Sequence, residues 1–122
     1  MSQSDKEFIY KDQIESLRAA ILNAREAGMA FIRNHEGTTD DPDCYPRGVK
    51  VLINRNSLEW RLLKEFEKEF AWFRLNGQSG MLTISVGLQI RNRLTLYGFQ
   101  QAVADSLSKS GIDCYADVSW RD

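Results

Sequence analysis

The chain has 122 residues, of which 43% are hydrophobic and 27% charged, and a formal net charge of −1. That length suits a single domain with its own core, the balance of apolar and charged residues excludes a disordered chain, and near-neutrality excludes a broadly basic surface for long polyanions. Two cysteines 70 residues apart, Cys44 and Cys114, do not make a disulfide framework. No apolar run approaches the roughly 18 residues needed to cross a bilayer, and "MSQSDKEF" lacks the basic-then-apolar pattern of a signal peptide. The expectation is a soluble protein of the reducing cytoplasm, without membrane association.

Charge is unevenly spread. Residues 1–47 carry 6 basic and 9 acidic side chains, and residues 48–122 carry 10 and 8.

Residues 5–33 read as one long amphipathic helix, with Tyr10, Ile14, Leu17, Ile21, Ala24, Gly28, Phe31 and Ile32 on one stripe. Ser4 with Glu7 has the spacing of a capping box. Gly28 on the apolar stripe leaves room for another element to approach closely. Residues 34–47, "NHEGTTDDPDCYPR", have no period and form an acidic loop.

Residues 48–122 read as a β-α-β-α-β unit. "VKVLI" (49–53) is a short strand, and "SLEWRLLKEFEKEFAWFRLNG" (57–77) a helix capped by Ser57 and closed by Gly77. "MLTISVGLQI" (81–90) alternates cleanly as a strand. Residues 95–110 form a third helix, and "IDCYADVSW" (112–120) alternates again. Strands separated by helices usually run parallel through right-handed crossovers. The expected fold is therefore α/β: a single domain over 1–122 with a long N-terminal helix and a small, three-stranded, mostly parallel sheet. Because the strands alternate instead of being apolar throughout, the helices are expected on one face. A reversed last strand is the competing topology.

Parallel strands would bring their carboxyl ends to one rim, where open α/β sheets bind ligands. That rim would hold Asn54, Arg55 and Asn56 after the first strand. Arg91, Asn92 and Arg93 would follow the second, and Trp120 and Arg121 the third. Arginine forks fit phosphates and carboxylates, helix N-termini favour anions, and an aromatic ring can stack on a base. The reading is a non-catalytic binding or regulatory protein for a phosphate-bearing ligand or short single-stranded nucleic acid. The glycine-rich loops of nucleotide-binding folds are absent from the sequence.

The alternative is a protein-interaction module, such as an inhibitor, immunity-type protein or adaptor. It would use the polar sheet face or Trp60, Trp72, Leu22 and Met29, which lie off the apolar stripes and leave room for a homodimer. No acid, base and nucleophile can be assembled into a catalytic set; Cys44 with His35 lacks an orienting third group. The His35, Glu36, Asp40, Asp41, Asp43 and Cys44 cluster matches no calcium or zinc spacing, so neither a metal nor a cofactor is expected.

Overall fold

The computed structural model describes residues 3–34, 44–87, 90 and 92–120. In chain order the elements are α1 (Gln3–Asn34), β1 (Cys44–Val51), α2 (Leu58–Glu69), β2 (Phe73–Leu75), β3 (Met81–Ile84), α3 (Arg93–Lys109) and β4 (Cys114–Trp120). The sheet is four-stranded in the order β2-β3-β1-β4, and every neighbouring pair is antiparallel. The mostly parallel, three-stranded sheet expected from the sequence is thereby corrected.

The cause is one short strand. The apolar spacing through Phe66, Phe70 and Phe73 continues the α2 stripe, but the helix stops at Glu69. Phe70 turns extended, with φ −118° and ψ 110°, and its ring stacks on Trp72 at 4.6 Å between centroids. Phe73 and Leu75 then alternate about exposed Arg74 and are fully buried, which is a strand's period and not a helix's. The Asn76–Gly80 turn closes a hairpin: the Asn76 side-chain oxygen accepts from the Gln78 and Ser79 amides, and Gly80 supplies φ +76°. With β2 in place, each β-α-β crossover straddles another strand. The result is the split β-α-β order of ferredoxin-like sheets, with α1 added in front.

Other boundaries also move. α1 already includes Gln3, so Ser4 lies within the helix and not at the position before it. β1 starts at Cys44, inside the stretch read as loop. Pro46 and Gly48 are admitted there because the register with β4 shifts between them, a bulge that exempts the strand from regular pairing. β3 ends at Ile84, and Gly87 follows with φ +77°.

One apolar core lies between the helices and one sheet face. Val49, Val51, Phe73, Leu75, Leu82, Ile84 and Cys114 meet Leu17, Ile21 and Ala24 of α1, Trp60, Leu63 and Phe66 of α2, and Phe99, Val103 and Leu107 of α3. α1 and α3 pack closely through reciprocal Gly–Phe contacts. A Cβ on Gly28 would collide with the Phe99 ring, and one on Gly98 with the Phe31 ring. Cys44 and Cys114 are both buried and free, Cys44 opposite Trp120 and Cys114 opposite Val51, at the two ends of the β1–β4 pair. No helix among the described residues is long and apolar enough to cross a membrane.

Candidate functional site

The antiparallel sheet takes the expected arginine rim apart. Arg55 follows β1 at the end where β3 and β4 begin; Val51 bonds to Gly80 and Leu52 to Asp113 there. Its guanidinium lies 5.8 Å from the Trp60 ring. Arg93 sits at the opposite end, 4.9 Å from the ring of Tyr45 at the start of β1. Trp120 ends β4 near that second end, opposite Cys44. Arg91, Arg121 and the Trp120 side chain lie outside what is described.

The asparagines do local backbone work. The Asn54 side chain accepts from the Asn56 amide at 2.8 Å, and the Asn54 carbonyl accepts from the Ser57 amide and hydroxyl. Ser57 caps α2 and Asn92 caps α3. Polar residues before a helix serve capping and ligand binding alike, so their type alone does not separate the two roles.

The interaction residues divide as well. Trp60 is only 6% exposed and belongs to the core, so it is no surface anchor. Trp72 is half-buried, stacked on Phe70 and covered by the Arg25 guanidinium at 4.8 Å. Leu22 is exposed, and Met29 is half-buried.

The structure instead assembles a different surface, the sheet face opposite the helices. Register and alternation place Tyr45 and Lys50 of β1, Thr83 of β3, Arg74 of β2, and Tyr115, Asp117 and Ser119 of β4 on it. Tyr45 is 38% and Tyr115 47% exposed. The rings lie roughly 13 Å apart along the strand direction, four residues of β4 at about 3.3 Å each. Lys50 stands between Met81 and Tyr115 in the register and donates its ammonium to the Ser79 carbonyl. Arg47 is exposed at the bulge. Arg47, Lys50, Arg74 and Arg93 thus border this face against Asp113 and Asp117, although the whole chain is net acidic by one charge. No described helix covers it.

Alternation through 112–120 puts Tyr115 on the polar face of its strand, which by itself assigns it no role. Tyr45 was hidden because its neighbours Pro46 and Gly48 carry loop signals.

Two concavities flank the face. The β1–β3 ladder holds only two register pairs, and beyond it a cleft of about 330 Å³ opens between the strands and α3, lined by Val49, Leu82, Ile84, Leu96, Phe99 and Gln100 among others. The Gln100 side-chain oxygen is buried with no hydrogen-bond partner. A wider depression of about 540 Å³ lies at the β2–β3 turn. Its Lys64 and Glu67 are already engaged: Lys64 donates to the Leu75 carbonyl at 2.5 Å, and Glu67 accepts from the Leu75 amide at 3.3 Å. Among the described residues no group of three or more His, Cys, Asp or Glu side chains is placed to hold a metal ion.

Comparison with known proteins identifies no relative: no family model matches the chain, and no curated protein and no solved structure matches it.

Proposed function

We propose that this chain is a non-catalytic binding module that holds a short single-stranded nucleic acid across its open sheet face. The phosphate-bearing ligand class inferred from the arginines is kept, and the surface that receives it moves from a strand-end rim to the face itself. One observation carries the reading: two exposed tyrosines stand on a sheet face that no described helix covers, and its bordering charges are mostly cationic in a chain that is acidic overall. Four-stranded sheets bind single-stranded RNA by stacking splayed bases on such aromatics, and arginines and lysines then track the phosphates. The Arg93 guanidinium lies over one face of the Tyr45 ring, so a base would stack on the other face with that cation next to it. The modest number of cations suits a short strand better than a duplex.

The test is fluorescence anisotropy of a labelled oligothymidylate about ten nucleotides long, at low salt and then with added salt. Binding is expected to weaken as salt rises. Tyr45→Ala and Tyr115→Ala should each weaken it roughly 5- to 100-fold, as the loss of one stacked base implies. No binding at low salt, or tyrosine variants that bind like the parent, would refute the proposal and return the open face to the protein-partner reading.

A further inference from the structure

We infer that β4 is a pairing edge for a second copy of this chain, joined antiparallel about a twofold axis at Val118. The inference rests on the fold and stands apart from nucleic-acid binding. β4 runs seven residues, Cys114–Trp120, and ends the sheet. The Leu52 amide bonds to the Asp113 carbonyl, which fixes the phase of the β1–β4 ladder: Asp113, Tyr115, Asp117 and Ser119 turn their backbone groups toward β1. Cys114, Ala116, Val118 and Trp120 therefore turn theirs outward.

The outward groups are not equivalent. The Ser108 hydroxyl lies 3.4 Å from the Cys114 carbonyl, and α3 thus covers the start of the edge. Among the described residues no group bonds to the outward backbone from Ala116 to Trp120. A register centred on Ala116 requires the covered Cys114 group, and one centred on Asp117 sets that carboxylate against its own copy, which like-charge repulsion disfavours. Centring on Val118 avoids both. It uses the backbone groups of Ala116, Val118 and Trp120, packs Val118 on its copy, and sets Asp117 opposite Ser119, whose hydroxyl can donate to the carboxylate. The two sheets then continue into one of eight strands, and the two open faces lie side by side.

Sedimentation velocity of the full chain, from about 5 μM to about 1 mM, tests the pairing. A concentration-dependent monomer–dimer equilibrium is expected. Val118→Pro removes the N–H at the axis and spares the β1 ladder, because proline is accepted on an edge strand where its nitrogen faces outward. It should raise the dimer dissociation constant by about thirtyfold, the loss of two hydrogen bonds, with the far-UV circular dichroism unchanged. A second measurement does not depend on that variant folding. Asp117→Cys mixed with Ser119→Cys should form a disulfide-linked dimer on mild oxidation, and neither variant alone should. A monomer at every concentration, a dimer indifferent to Val118→Pro in its folded form, or cross-linking no better in the mixture than in the single variants would overturn the inference.

Discussion

The two edges of the sheet are finished differently. β2 is three residues long, and the outward amide and carbonyl of its Leu75 are taken by the Glu67 and Lys64 side chains of α2, which also pair with each other at 2.6 Å. β4 is more than twice as long, and among the described residues its cover stops at Cys114. An edge strand offers unpaired backbone groups to any neighbouring chain, and short length and charged side chains blunt that hazard. One edge has both protections. The other is long and carries one charge, Asp117, over its last residues. The contrast separates an edge built to stay solitary from one left available.

The comparison can be broken at β2 first. Phe73 is fully buried in the core, so Phe73→Ala should cost about 3–5 kcal/mol of stability, read by urea unfolding. A cost below about 1 kcal/mol would mean that β2 is not anchored as described. Next, Glu67→Ala leaves the Leu75 amide without its acceptor and should cost about 1–2 kcal/mol, most of it from the backbone group and little from the partly exposed ion pair.

The pH dependence follows with a smaller effect. Burial pushes the Glu67 carboxyl up, but the hydrogen bond from Lys64, the Leu75 amide and the nearby Lys64 and Arg74 charges together hold it below its ordinary value of 4.5. A carboxyl depressed in the folded state binds its proton more readily when unfolded. Its stabilisation is therefore complete above pH 4.5 and fades as pH falls through the lower folded value. Urea titrations below pH 4.5 should show Glu67→Gln losing less stability on acidification than the parent. Equal losses would remove Glu67 from the account of the β2 edge.

Several elements are legible in the sequence because each obeys one period at a time, although the sheet they build is not. The stripe from Leu17 to Ala24 marks α1, and the alternation from Met81 to Ile84 and from Cys114 onward marks two strands. What escaped were residues that obey two patterns. Phe73 fits both the helical stripe behind it and the alternation with Leu75, and only burial in three dimensions separates them. Missing that strand hides the topology, because the β2–β3 hairpin reverses the chain, so β3 and β4 run opposite to β1 and β2. The arginines were visible, but their convergence depended on strand direction. Tyr45 escaped for another reason: Pro46 and Gly48 signal a loop unless a bulge absorbs them, and the bulge exists only against β4.

The placement of the two thiols has a use of its own. Cys44 and Cys114 sit at opposite ends of one strand pair, too far apart to join, and burial pushes the Cys114 thiol up so that it stays protonated and slow to react. Each therefore waits on local opening before an alkylating reagent can reach it. Mass spectrometry of a timed labelling reaction would thus report, without any added probe, which end of the central strand frays first.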